Sequence, residues 1–475
     1  MTALSPTAPG AIPHQRSPLI GREKELDDLE SILHARADRL ITLTGPGGVG
    51  KTRLAIEIAG SVTASGASKA YFIPLAHVTT SDDVLTAIAH VASWPDRPVG
   101  EPLDSVLRAI GTDHYLLVLD NLEQVPEIGP ALAAILSACP NLVILATSQV
   151  RLRISGEREY VIGTMPVGDT SGDAVRLFVD RATAADARFA LTDANTDQVM
   201  AICAALGGLP LAIELAAARI KLLSPPDLLS RLDRQLSILT GGGGDLPQRQ
   251  QTMRNAIAWS YDLLQPDEQT FLRGIAVFVN GFALDEVDAF APSDASALDL
   301  LGSLIDKSLV YRAPSAGDGS RYGMFASIRE YAAEQRASLG EEAATREKHA
   351  VVMLQRADTA LVARRHPGAD RWIPILEADL ANFRLAIDWW HTSGDFGRGL
   401  IHVSRLSSLW DLQSLSREAR QRYEEFWPAL ESLGPEDQIP AIRGYSVVLM
   451  RLAEFAAAGE VAEVALQKAR DLGDD

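Results

Sequence analysis

Eight consecutive residues of this chain have the types and spacing needed to hold a polyphosphate. Gly45-Pro46-Gly47-Gly48-Val49-Gly50-Lys51-Thr52 fits Gly-x-x-x-x-Gly-Lys-Thr in full. Glycines let successive backbone N–H groups turn inward onto phosphate oxygens. A helix starting at Lys51 presents its positive dipole end to the same anion. The loop then cradles the phosphates, the Lys51 ammonium lies near the β- and γ-phosphates, and Thr52 ligates Mg²⁺. The plain alternative is a glycine-rich turn between a strand and a helix. Further on, the apolar run 115–119 closes in Asp120. That carboxylate either holds Mg²⁺ through water or caps the next turn, and the upstream loop favours the metal. Asn121 follows instead of a second acid, and Glu123 is the next carboxylate. Lys51, Asp120 and Glu123 are therefore the candidate catalytic residues. So sparse a set suits slow ATP hydrolysis in a switch better than a motor. ATP/ADP and Mg²⁺ are the expected cofactors.

These groups need elements to carry them. The apolar run 40–43 reads as a buried strand before the loop, and Leu54 and Ile58 mark one face of the helix after it. Further strand candidates are 71–75, 115–119, 142–146 and 160–162, with helices at 82–92, 103–110 and 127–138. Strands alternating with helices predict an α/β fold, a parallel sheet with helices on both faces. After Pro166 the pattern turns helical, at 173–184, 194–206 and 211–222, with another start at Pro225-Pro226. Gly241 to Gly244 with Asp245 is the clearest linker. Helices at 250–264, 267–278, 284–290 and 297–307 precede short strands at 308–312 and 321–325, joined by residues 314–319. Helices followed by a β-hairpin in this compass make a winged-helix pattern. From about Glu341 the chain is helical. Gly394 and Gly459 read as similar turns two ~34-residue periods apart, which suggests helical-hairpin repeats.

Composition sets the limits. The chain has 475 residues with 44 Lys+Arg and 62 Asp+Glu, a net charge of −18. That balance speaks against a chain whose main work is gripping nucleic acid. Two cysteines, Cys139 and Cys203, cannot build a disulfide framework, and a reducing cytoplasm is the expected home. No apolar run reaches the ~18 residues of a membrane span, and 1–18 reads as a flexible tail instead of a secretory signal. The scattered histidines show no metal spacing. Trp372, Trp389, Trp390, Trp410 and Trp427 sit at apolar helical positions and are expected in the core.

Taken together, several stretches resemble STAND-class signalling ATPases with an NB-ARC module, in the bacterial branch of SARP- and LuxR-type regulators. They are Ile20-Gly21-Arg22-Glu23, the loop from Leu43 to Arg53, Leu119-Asp120-Asn121, and Gly208-Leu209-Pro210-Leu211-Ala212-Ile213-Glu214-Leu215-Ala216. Further matches are Leu246 to Arg254, Trp259 to Leu264, Asp306 to Val310 and Ile328 to Ala332, in family order. The resemblance implies that Pro210 packs against adenine and that Gly21 and Arg22 lie on the adenine side. Arg53 joins the nucleotide set on the same ground. It also implies a winged helix that closes over ADP, and ATP exchange that lets the domains part and assemble. The segments are then a tail at 1–17, a P-loop domain at 18–165, a small helical domain at 166–240, a winged helix at 246–338 and a TPR-like helical region at 341–475.

Two positions depart from the family pattern. Gln149 stands where an arginine usually senses the γ-phosphate, with Arg151 and Arg153 the nearest substitutes. Ala326 stands where relatives carry an acid. A neutral Gln149 cannot offset charge developing in a transition state. The best recognition-helix candidate, 297–307, carries one basic residue against Asp299 and Asp306, so direct DNA contact by this chain is not expected. The expected partners are a protein or small-molecule signal on the C-terminal helices and a nucleotide-dependent homo-oligomer. The rival readings are a regulator acting directly on DNA and a conventional AAA⁺-like ATPase.

Overall fold

A computed structural model describes residues 10–15, 17–66, 68–75, 78–92, 101–168, 170–232, 235–239, 252–313, 320–363, 372–413 and 415–471. The start of the tail, the linker 241–245, the motif residues 246–251, the hairpin loop 314–319 and the Trp372 side chain lie outside the described residues. The chain divides into two compact units. One comprises 1–265 with 303–309 and 325–331; the other comprises 266–302, 310–324 and 332–475.

The first unit is built on five parallel strands: β1 (Leu40–Thr44), β2 (Lys69–Pro74), β3 (Tyr115–Asp120), β4 (Leu142–Thr147) and β5 (Glu157–Val161). Their order is β2-β3-β4-β1-β5. β1 and β3 are buried along their whole length, as a parallel sheet covered on both faces requires. β5 is an edge strand, and its half-exposed residues explain why only the apolar run at 160–162 signalled it. The helices are α1 (Glu23–Ala35), α2 (Lys51–Ser65), α3 (Ser81–Ala92), α4 (Pro102–Ile110) and α5 (Gly129–Ala138). The helix expected at 127–138 begins instead with short 3₁₀ turns, Leu122–Gln124 and Pro126–Ile128. This order places β4 between β1 and β3, so the carboxyl ends of all three strands open on the side where the phosphate loop leaves β1.

The same unit continues with α6 (Asp173–Ala185), α7 (Thr196–Ala205), α8 (Pro210–Ala217), α9 (Pro225–Ser230), α10 (Gln235–Ile238) and α11 (Met253–Asp262). The single helix expected at 211–222 splits into α8 and a 3₁₀ turn, Ala218–Lys221. Pro210 occupies the first turn of α8, where its missing N–H costs nothing.

The second unit begins with α12 (Pro266–Ile275), β6 (Phe282–Ala283) and α13 (Leu284–Val287). A three-stranded antiparallel sheet joins β6 to β7 (Tyr311–Ala313) and β8 (Arg321–Gly323), in the order β6-β8-β7. The hairpin strands are shorter than expected. Ser308, at φ +58°, caps the preceding helix by returning its N–H to the Ile305 carbonyl, so no strand starts there. β6 went unforeseen because two residues carry no period. The winged-helix fold is otherwise as expected, and the C-terminal region is helical. Gly394, at φ +80°, turns the chain between helices Trp372–Ser393 and Phe396–Arg405. Gly459 lies inside helix Phe455–Asp471, so the expected ~34-residue period between two glycine turns is wrong. Trp390 and Trp410 are buried as expected. Trp389 and Trp427 are only half-buried: the Trp389 indole donates to Glu347 Oε2 at 2.8 Å, and Trp427 packs against Tyr445 with the two rings tilted by 56°.

Candidate nucleotide-binding site

The P-loop runs from the end of β1 into α2, with Gly45, Gly48 and Gly50 all at positive φ. Among the described residues, the N–H groups of Gly48, Gly50 and Thr52 donate to no protein acceptor, which leaves three backbone donors in this stretch of the loop. Lys51 Nζ donates to the Gly45 and Pro46 carbonyls at 2.6 and 3.1 Å, which holds the ammonium over the loop. A row of amides, a helix N-terminus and an ammonium make an anion cradle. Phosphate therefore fits the residues present.

Asp120 ends β3 and is 3% exposed. Thr52 Oγ1 and Thr147 Oγ1 both donate to its Oδ1 at 2.6 Å, and Asn121 Nδ2 donates to Oδ2 at 2.6 Å. The carboxylate is thus held by two hydroxyls and an amide side chain. Thr52 and Asp120 offer one hydroxyl and one carboxylate in direct contact. That is a hard-oxygen pair suited to Mg²⁺, which completes its shell with water and phosphate oxygens. Thr147 was missed because it lies on another strand. Only the strand order brings it beside Asp120. Asn121, at φ +68°, is held by its N–H donating to Thr147 Oγ1 at 2.9 Å. Glu123 lies in the 3₁₀ turn beyond this cluster, half-buried.

Arg22 is 5% exposed, not a solvated residue beside a helix start. Its guanidinium donates to Val49 O in the loop at 3.3 Å, to Gly163 O at 2.6 Å and to Glu25 Oε1 at 2.5 Å. A buried guanidinium needs such partners to offset desolvation. The Gly208–Pro210 turn locks onto the same loop. Leu211 N–H donates to the Gly48 carbonyl at 3.1 Å, and Met165 N–H donates to the Gly208 carbonyl at 2.8 Å. A Cβ at Gly208 would stand 2.1 Å from the Met165 carbonyl oxygen, and one at Gly48 would stand 2.8 Å from the Leu211 side chain. Glycine is the only residue that lets these segments approach so closely.

Between them lies a cleft with apolar walls from Leu19, Ile20, Met165, Leu177 and Pro210. Arg22, Val49, Gly50, Arg53, Arg181 and Glu214 complete it. Arg22, Arg53 and Pro210, which the resemblance places at the nucleotide, all line this cleft. Sequence reasoning missed Arg181 and Glu214, whose charges meet only after α6 and α8 pack. Arg53 reaches away from the loop to the Ser17 and Pro18 carbonyls at 2.5 and 2.7 Å. Burial lowers its pKa, opposed by the charge of Glu214.

Gln149 is buried beyond the end of β4 and donates from Nε2 to Ser260 Oγ of α11 at 2.9 Å. Neither suggested substitute takes its place. Arg151 pairs with Glu159 at 3.4 Å and Arg153 with Asp306 at 3.1 Å. Cys139 and Cys203 are buried free thiols, with Cys203 pushed up to about 12 by burial. Among the described residues there is no group of three or more His, Cys, Asp or Glu placed to hold a metal ion. None of the described helices is long and apolar enough to cross a membrane.

Comparison with known proteins agrees with this geometry. Residues 18–150 match the AAA ATPase domain and residues 264–337 the winged helix-turn-helix domain. Proteins of Mycobacterium bovis and Mycobacterium tuberculosis, provisionally named HTH-type transcriptional regulators, are 39% identical over 385 residues, 78% of this chain and 42% of theirs. This chain thus spans less than half the length of those relatives. An uncharacterised Mycobacterium tuberculosis protein is 34% identical over 328 residues, 68% of this chain and 82% of that protein. The regulatory protein AfsR of Streptomyces griseus is 27% identical over 68% of this chain and 33% of its own length. Among solved structures, a STAND protein with a tetratricopeptide repeat sensor from Pyrococcus horikoshii aligns over 99% of this chain and 67% of its own at 13% identity, with a TM-score of 0.30.

Proposed function

We propose that this chain, which belongs to the family of the mycobacterial protein it covers over 82% of its length, is an ATP/ADP-dependent signal-transduction switch with a transcriptional output. The observation that carries the reading is the convergence of P-loop, Arg22 and the Gly208–Pro210 turn on one cleft. Lys51 and the loop amides hold the phosphates, while Thr52 and Asp120 hold Mg²⁺, which supplies charge neutralisation at the β- and γ-oxygens. Pro210 seats the adenine against Leu19 and Ile20. Glu123 and the neutral Gln149 leave hydrolysis slow.

The loop and the helical segment touch directly through Gly48 and Leu211, so a nucleotide held by both biases whether they stay closed. Closure as NB-ARC modules achieve it, a TPR-like sensor in the C-terminal helices, assembly into a homo-oligomer and a cytoplasmic location belong to this reading. Relatives named as transcriptional regulators support the output. Calorimetric titration with ADP and with ATP tests the site: wild-type chain binds at one site, and Lys51→Ala does not.

A direct DNA contact is the second reading, favoured by the winged helix-turn-helix match. Against it, Asp306 of the would-be recognition helix is paired with Arg153, and the net charge is −18. A mobility-shift assay at physiological salt decides: no specific shift by this chain is expected, and a specific shift would establish the direct reading.

A further inference from the structure

Helix α11 stands against the phosphate loop at Gly47, and it belongs to the same compact unit as the loop. A Cβ at Gly47 would lie 3.5 Å from Ser260 Oγ and 3.8 Å from the Ala256 carbonyl oxygen, both on α11. Ser260 and Gln149 are both buried. Gln149 Nε2 donates to Ser260 Oγ at 2.9 Å, and Ser260 Oγ donates to the Ala256 carbonyl, one turn back, at 3.3 Å. The one hydroxyl proton of Ser260 is thus committed within its own helix. To its other neighbours the oxygen offers lone pairs only, which attract an amide and repel a phosphate oxygen.

Two markers put this contact at the terminal-phosphate end of the loop. Lys51 Nζ lies on the Gly45 and Pro46 carbonyls, next to Gly47, and a P-loop lysine reaches the β- and γ-phosphates. On the other side, Thr147 donates to Asp120, the carboxylate that meets Thr52, and Gln149 follows Thr147 by two residues. Thr52 and Asp120 are the proposed Mg²⁺ pair, and such an ion lies between β- and γ-oxygens. A diphosphate leaves the Gln149 amide on Ser260. A third phosphate brings oxygens that compete for the same N–H group, and an anionic acceptor holds it more strongly than a hydroxyl does. On the nucleotide reading of this loop, on which the inference rests, we propose that Ser260 is a positioning residue for discrimination between ADP and ATP. It holds the Gln149 amide, and so ties α11 to the end of β4, in the diphosphate state. The γ-phosphate takes that amide over and removes the tie. A ligand shifts such an equilibrium only through contacts that differ between the two states, and this donor is one that differs.

The test titrates ADP and the non-hydrolysable β,γ-imido analogue of ATP, both with Mg²⁺, into nucleotide-stripped chain by calorimetry. Ser260→Ala removes the competitor and keeps the Gln149 amide. Affinity for the triphosphate is expected to rise about fivefold or more relative to ADP, the scale of one hydrogen bond no longer broken on binding. Gln149→Leu removes the donor itself, so the same ratio is expected to fall, by about threefold or more, because the bond to the anionic acceptor is the stronger one. In the Gln149→Leu background, Ser260→Ala is expected to leave the ratio unchanged, since the two side chains act through one bond. An unchanged ratio in Ser260→Ala overturns the inference. So does a rise of the same size in both backgrounds, which would assign Ser260 to packing against Gly47 alone. Should Ser260→Ala not fold, the sign in Gln149→Leu decides, and a ratio that stays or rises there overturns the inference. Failure of the wild type to bind either ligand overturns the nucleotide reading itself, a result distinct from these.

Discussion

Replacing Gly208 with alanine tests whether the Gly208–Pro210 turn holds the cleft together. Three costs follow from the structure. Gly208 sits at φ +65°, a conformation that costs a residue with a Cβ about 1–2 kcal/mol. The new Cβ would lie 2.1 Å from the Met165 carbonyl oxygen, a backbone atom that cannot swing aside. Relief of such overpacking costs about 1–3 kcal/mol. Moving the two segments apart also breaks the 2.8 Å bond from Met165 N–H to Gly208 O, worth about 1 kcal/mol. Together these disfavour the seated turn by about 3–6 kcal/mol, a factor on the order of 10² to 10⁴. Pro210 two residues on is unseated with it, so ADP affinity falls by at least about tenfold, as the competent fraction shrinks. Calorimetry reads the affinity and a thermal melt reads the stability. Gly60→Ala is the control, because Gly60 lies inside α2 with nothing within 4 Å of its missing Cβ. That change stabilises by about 0.5–1 kcal/mol and leaves ADP binding unchanged. Gly208→Ala with wild-type ADP affinity would refute the coupling of turn to site.

Three further outcomes follow. Asp120→Asn puts an amide where three donors converge, and the thermal melt should show a loss of about 1–3 kcal/mol. In the same variant, Mg²⁺ no longer strengthens ATP binding; a retained Mg²⁺ dependence in titrations would remove Asp120 from the metal site. In the second unit, burial lowers His349 from 6.5 to about 4. Its imidazole stays neutral in the folded chain while the unfolded chain takes up a proton below about 6.5, so stability is lost as pH falls from 6.5 through 4, by about 3 kcal/mol. His349→Gln should flatten that part of a melt-versus-pH curve, and an unchanged slope would place the effect elsewhere. Glu286 acts in the opposite sense. Burial, with Asp379 beside it, raises its pKa, so its contribution is full in acid and is lost as pH rises above the ordinary Glu range.

The parts of the site that were legible in the sequence are those fixed by local pattern. Gly45 to Thr52 needs only its own glycines and the flanking apolar runs to be recognised, and Tyr115 to Asp120 reads as a buried strand ending in an acid. The strands and helices of the first unit fall within a few residues of their expected places, because each is either a continuous apolar run or an amphipathic one. What stayed hidden depends on tertiary approach. Thr147 reaches Asp120 only because β4 lies next to β3, and Glu214 meets Arg53 only when α8 packs on the loop. Gln149 was recognisable as a departure, yet its partner Ser260 lies 111 residues away. The Gly459 turn failed for the converse reason. Gly-Glu is a good turn signal in isolation, and the alanines and valines around it, from Phe455 on, carry the helix through it.

The central claim is that the P-loop and the Pro210 cleft form one nucleotide site. The measurement that bears on it most directly is calorimetric titration of ADP into the wild-type chain and Lys51→Ala, with protein-bound nucleotide stripped beforehand. Lys51 holds its ammonium over the loop at the Gly45 and Pro46 carbonyls. The account predicts a single saturable site in the wild type and no measurable binding in Lys51→Ala. Equal affinity in the two chains, or no binding by the wild type, would contradict it.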